Sequence, residues 1–246
     1  MPDLLLRGML AGVVAGALAI GFASVFGEPA IERAIAFEER TAVSDEQAAS
    51  HGHPVTEADA ASTVARSVQR TVGLAAGMIG LGIAFGGIFA VLYAFARGRL
   101  GSMSDRGTAL TVAVLAFVAL YLVPFLKYPA NPPAAGAAGT IQARTVAYLV
   151  MLLLSVLTTM GAVILQRRLV RGRGGWDASL IAAGGFGMAF AMGALLMPSF
   201  AEVPAGFPAD VLWRFRIASV GTQLVLWLGI GLAFGMLTER AARADR

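Results

Sequence analysis

An all-α, polytopic membrane helical bundle with six transmembrane helices is the fold class this sequence predicts, on three observations. Of 246 residues, 57% are hydrophobic and 14% are charged, against about 25% charged in an ordinary soluble domain. The charges cluster between long apolar runs instead of covering a surface. Six of those runs are long enough to cross about 30 Å of hydrocarbon. They lie at Gly8–Gly27, Val72–Ala96, Thr108–Phe125, Val146–Leu165, Ala178–Met197 and Ile217–Leu237. In lipid each must be a helix, because a helix satisfies its own backbone hydrogen bonds without water. The chain, 1–246, therefore reads as a single integral membrane domain, multi-pass and in contact with membrane lipids.

The first span follows Arg7 and could be mistaken for a signal peptide. It runs about 20 residues, longer than a signal peptide's apolar region, and no clean A-x-A site ends it, so it reads as a membrane span. The positive-inside rule sets the topology. With a cytoplasmic N-terminus, the inner segments hold 11 basic and 5 acidic residues and the outer ones 8 and 10. Both termini are then cytoplasmic. The net charge of +4 is spread over loops, with no basic stripe for nucleic acid. No cysteine is present, which excludes disulfides and thiolate metal sites.

A long segment, 28–70, separates spans one and two and reads as an extracytoplasmic loop carrying an amphipathic helix. In "EPAIERAIAFEER", Pro29 suits a first helical turn, Glu28 suits the N-terminal dipole, and Ile31 and Ile35 share a face. The middle, "TAVSDEQAASHGHPV", is polar. "TEAD" then resembles a capping box, with Val64, Val68 and Val72 at i+4 spacing beyond it. Span two is expected to start near Glu57, well outside the bilayer.

Spans two to five carry signs of a tandem two-helix repeat, 70–143 and 144–217. "RTV" at 70–72 recurs at 144–146, "RGR" at 97–99 recurs at 171–173, and Pro124 recurs as Pro198. Elsewhere the copies diverge. Each copy would end in a proline-rich outer corner: "VPFLKYPANPP" with Lys127, the chain's one lysine, then "MPSFAEVPAGFP" without it. Glycine spacing points to close packing within the monomer. Gly8, Gly12 and Gly16 form one stripe, and Gly73 with Gly77 and Gly82 with Gly86 form others.

No ionisable residue sits near the middle of a span, where proton-coupled transporters often place one. No P-loop, zincin, nucleophile-elbow or zinc-cluster motif is present, so nothing supports an enzyme. Polar groups gather instead at the outer rim: Glu28 after span one, Arg66 and Gln69 before span two, Lys127, Tyr128 and Asn131 after span three, and Arg144 before span four. Singly, each can be an interfacial anchor. As a constellation they read as a gating or structural network, with Lys127 pairing Glu28 or Glu38. His51 and His53 could hold a divalent cation together with nearby carboxylates. A solvated loop with incidental histidines is the competing reading. Met188 and Met192 fit apolar helix packing better than soft-metal binding.

Three regions carry a family resemblance: "RGMLAGVVAGALA…FGEPAIERAIAFEE", "VARSVQRTVGL", and "VPFLKYPANPPAAG" with "QARTVAYL". They resemble the CbtA family of probable cobalt transporter subunits. The resemblance implies a bacterial inner-membrane protein of cobalt uptake serving cobalamin biosynthesis, with Co²⁺ as cargo and no permanently bound cofactor. It also implies a small single-span, histidine-rich partner of the CbtB type. A homo-oligomer is compatible with it. On this reading metal is captured outside by His51, His53, Glu28 and Glu38, and passes between glycine-lined helices. Arg66, Gln69, Lys127, Tyr128, Asn131 and Arg144 form the gating network. The alternative is a non-transporting membrane scaffold that assembles with a partner. A membrane enzyme acting on an anionic lipid is a third reading.

Overall fold

The computed structural model describes residues 2–49, 73–133, 135–136 and 138–244. Among them all regular structure is helical: α1 (Pro2–Phe22), α2 (Glu28–Ala49), α3 (Leu74–Ala96), α4 (Asp105–Phe117), α5 (Val123–Lys127), α6 (Ile141–Arg173), α7 (Gly175–Leu196) and α8 (Ala209–Ala244). π turns at Ala23–Gly27 and Val118–Leu122 join α1 to α2 and α4 to α5, and a 3₁₀ turn at Ala138–Thr140 leads into α6. Among the described residues six helical runs are long and apolar enough to cross a membrane, from Pro2–Ala42 through Ala209–Ala244. Each contains, or nearly coincides with, one of the six spans the sequence predicts.

Pro29 does not open a separate helix, as its position suggested. It lies inside a continuous helical run. A proline in a helix interior has no N–H to give the carbonyl four residues back, and its ring crowds that carbonyl. The chain accommodates this with a wider turn just ahead, in which the Glu28 N–H donates to the Ala23 carbonyl. The same device precedes Pro124, where the Val123 N–H donates to the Val118 carbonyl. Such π turns keep the helix intact where an ordinary turn would break.

Contacts divide the chain into two compact units. The first comprises Met1–Val114, Pro132–Ala134 and Pro208–Arg246; the second comprises Leu115–Asn131 and Ala135–Phe207. In the first unit α1 packs chiefly on α3 and α8. Its seam with α3 is built of glycine. A Cβ on Gly8 would collide with the Gly86 carbonyl, one on Gly12 with the Gly82 carbonyl, and one on Gly16 would stand 2.9 Å from the Met78 oxygen. Backbone thus lies on backbone, which is how helices gain van der Waals contact where lipid offers no hydrophobic drive. Gly73 and Gly77 have open space around them, so of the stripes expected in span two only Gly82 and Gly86 serve the contact. A passage between these helices, as the cobalt reading supposed, is filled along this seam. On the neighbouring face of α3, Phe85 stacks on Trp227 at 5.3 Å, and Phe89 and Tyr93 meet Phe234 edge-on at 5.3 and 4.8 Å.

In the second unit α6 and α7 lie against each other, joined through Gly174 at φ 78°, a left-handed conformation that favours glycine. A Cβ on Gly193 would strike Leu154. The suspected repeat keeps its sequence register but not its pairing. Spans four and five pack together, whereas span two packs mainly on span one. Pro124 lies within α5, and Pro198 falls just beyond the end of α7. Met188 and Met192 are exposed, facing away from the protein and not into a packed interface.

Candidate functional site

The two proline-rich corners of the second unit meet. Lys127, the last residue of α5, donates from Nζ to Ser199 Oγ at 3.1 Å and lies 5.8 Å from the Tyr128 ring centroid. Tyr128 donates its hydroxyl to the Pro198 carbonyl at 2.8 Å, and its ring lies 6.0 Å from that of Phe200. Burial pushes the Tyr128 phenol above its usual pKa, so it remains a donor at neutral pH. Within its unit Lys127 is thus tied to the second corner through Ser199.

At the centre of this contact is Glu202. Its side chain is 4% exposed and accepts from three directions. Thr140 Oγ1 donates to Oε1 at 2.8 Å, Asn131 Nδ2 donates to Oε2 at 3.3 Å, and Arg144 Nη1 donates to the same Oε2 and forms an ion pair with it. Burial alone would raise the pKa of this carboxyl. The hydrogen bonds from Thr140 and Arg144, the Arg144 charge and the bond from Asn131 outweigh it and hold Glu202 below the usual carboxylate range. The arrangement follows from local structure. The 3₁₀ turn places Thr140 at the mouth of α6, and Arg144 sits one turn into that helix. Asn131 arrives on the extended stretch beyond α5, where consecutive prolines prevent further helix.

Beside this knot, sharing Asn131 and Arg144 with it, opens a cleft of about 390 Å³ also lined by Tyr121, Phe125, Tyr128 and Tyr148. Tyr121 stacks on Phe125 at 5.4 Å. The walls are aromatic, and the single cation, Arg144, is already balanced by Glu202.

Of the residues the sequence marked, the structure brings Asn131 and Arg144 together on Glu202 and sets Lys127 and Tyr128 beside them. Glu28 and Glu38 lie on α2, in the first unit. His51, His53, Arg66 and Gln69 lie outside the described residues, as does the expected start of span two near Glu57. Glu202, Thr140 and Ser199 were missed. One signal was available: Glu202 is the only carboxylate in its corner, set among apolar residues on a side rich in arginine. A second polar cluster, toward the end assigned to the cytoplasm, was also missed. There Tyr93 donates to Asp105 at 2.7 Å, Arg97 pairs with Asp105 at 3.2 Å, and Glu239 pairs with Arg106 and Arg243. Among the described residues no group of three or more His, Cys, Asp or Glu side chains could hold a metal ion.

Compared with known proteins, the chain matches one family profile, CbtA, described as "Probable cobalt transporter subunit (CbtA)", over residues 1–239. No curated protein and no solved structure matches it. The match spans nearly the whole chain and takes in five apolar helices and most of the sixth, the glycine seam and the Glu202 corner, and the chain accordingly belongs to the CbtA family, the family of probable cobalt transporter subunits.

Proposed function

We propose that this protein is the membrane subunit of a divalent cobalt uptake system that takes metal on the extracytoplasmic side and permits its passage inward. Family membership gives the transport class. The observation that carries the finer reading is the knot on Glu202, because it makes the outer corner a closed, charge-balanced latch. Its donors come from the end of span three and the start of span four, and its acceptor from the segment after span five. Co²⁺ is the cargo. Glu202 is no ligand while Arg144 holds it, since a guanidinium repels a dication. Capture is assigned to His51 and His53 with Glu28 and Glu38. A small histidine-rich partner subunit would add to the two imidazoles of this chain, ligands that suit Co²⁺. Lys127, Tyr128, Asn131 and Arg144, with Arg66 and Gln69, serve as the gate. The membrane potential, worth about 2.3 kcal/mol per charge per 100 mV, is a sufficient inward drive for a dication.

The test is cobalt accumulation in cells expressing the chain with its partner. Lys127→Ala and Glu202→Gln should each change uptake several-fold at equal expression. Unchanged uptake in both removes the gate.

A second reading, a scaffold that transports nothing itself, is favoured by two observations. The α1–α3 seam is closed by backbone contact, and the described residues offer no metal cluster. Vesicles containing the purified chain alone separate the readings. Cobalt flux without a partner supports the first; a stable complex with the partner and no flux supports the second.

A further inference from the structure

We infer that the first unit carries a binding site for the phosphate of an anionic phospholipid in the headgroup layer of the membrane face opposite the termini. The site is a cleft of about 300 Å³ where α2 meets α8, next to the π turn at Ala23–Gly27. Arg33 and Arg214 both line it, with Trp213 beside them and Val25, Phe26 and Ile217 forming the walls.

Depth fits a headgroup. Arg33 lies 26 residues after Arg7 on one continuous helical run, and Arg214 lies 26 residues before Arg240 on another. At 1.5 Å per residue each separation is about 39 Å, close to the 40–45 Å between the two headgroup regions of a bilayer. The arginines are therefore at phosphate level when their partners at the other ends are too.

Charge fits as well. Arginine on the outer side runs against the positive-inside bias and calls for a counter-charge. At this cleft the protein supplies only a weak one. Arg33 has Asp210 at 3.9 Å, with both side chains more than half exposed, a pair worth almost nothing on its own. Arg214 has no carboxylate partner among the described residues. Guanidinium suits a phosphate because its fork matches two oxygens at once. The walls complete the ligand. Val25, Phe26 and Ile217 are 64%, 57% and 54% exposed, an apolar surface continuous with the cleft on which an acyl chain can lie. Trp213, 66% exposed, has the amphipathic ring that membrane interfaces select.

The experiment is native mass spectrometry of the full chain, extracted in detergent and offered phosphatidylglycerol or phosphatidylcholine with identical acyl chains. Phosphatidylglycerol should be retained in preference. The Arg33→Gln/Arg214→Gln variant should lose that retention by about fivefold per arginine. Asp210→Asn, which removes the competing carboxylate, should retain more lipid than wild type, and so gives a reading even if the double variant fails to fold. Equal retention of the two lipids, no gain in Asp210→Asn, or displacement of the lipid by millimolar inorganic phosphate overturns the inference, the last by reassigning the cleft to free phosphate.

Discussion

Glu202 accepts from Asn131, Thr140 and Arg144 while almost wholly out of water. Removing the cation leaves a buried carboxylate without its counter-charge. Breaking a buried ion pair typically costs 3–5 kcal/mol. Arg144 is 38% exposed, so water would take up part of the loss, and Arg144→Ala should destabilise by about 2–3 kcal/mol, read as a lower unfolding midpoint in a fixed detergent. Glu202→Gln keeps the shape and should cost less. The pH dependence has a definite sign. The folded pKa of Glu202 is depressed, so its contribution is fully present above the ordinary glutamate value of about 4.3 and is lost as pH falls through the lower folded value. Wild type should therefore converge on Glu202→Gln as the buffer is taken below pH ~4. Curves that stay parallel would show that the carboxylate is not held in its charged form. This carboxylate was hard to find in the sequence because its partners lie 58 to 71 residues away, and nothing local marks a chain position as the meeting point of two corners.

Helix by helix, the apolar runs are legible because bilayer thickness sets their length and lipid forces them to be helical. What a helix faces is less so. Gly77 and Gly82 look alike in the sequence, yet one stands in open space and the other touches the Gly12 backbone. Spacing identifies a stripe but cannot say which stripe meets a partner. The distinction is testable. Gly12→Ala or Gly82→Ala puts a methyl against a carbonyl that cannot move aside, and should cost at the upper end of the 1–3 kcal/mol typical of overpacking, visible as loss of monodisperse protein on size exclusion. Gly77→Ala should be neutral, or slightly stabilising through higher helix propensity. Equal behaviour of the two sites would mean that the α1–α3 seam is not as close as described. Pro29 teaches the same lesson about elements. Its chemistry suits a helix start, but a π turn lets it sit mid-helix, and the local sequence does not choose between the two.

At the scale of the whole molecule, charge asymmetry assigns both termini, the turn near Ser102 and the break at Gly174 to the cytoplasm. The chain has no cysteine, so single cysteines can report sidedness without background. Both Ser102 and Ala205 are exposed. In intact cells a membrane-impermeant maleimide should label Ala205→Cys and leave Ser102→Cys unlabelled until the membrane is opened. The inverse pattern would turn the topology over and move the Glu202 corner to the cytoplasmic side, ending its candidacy as an outer gate. The class of the molecule was readable from composition and motif, since six apolar runs and the "PFLKYPANPP" corner suffice for it. The histidines proposed for capture lie beyond the described residues.

The glycine seam also limits how the protein can move. Side chains at an ordinary interface can change rotamer and let one helix slip past another; carbonyl oxygens nested against Cα atoms have no such play. Spans one and two must travel as a single rod. The pliancy that a carrier cycle demands has to be supplied by helices that meet through flexible side chains.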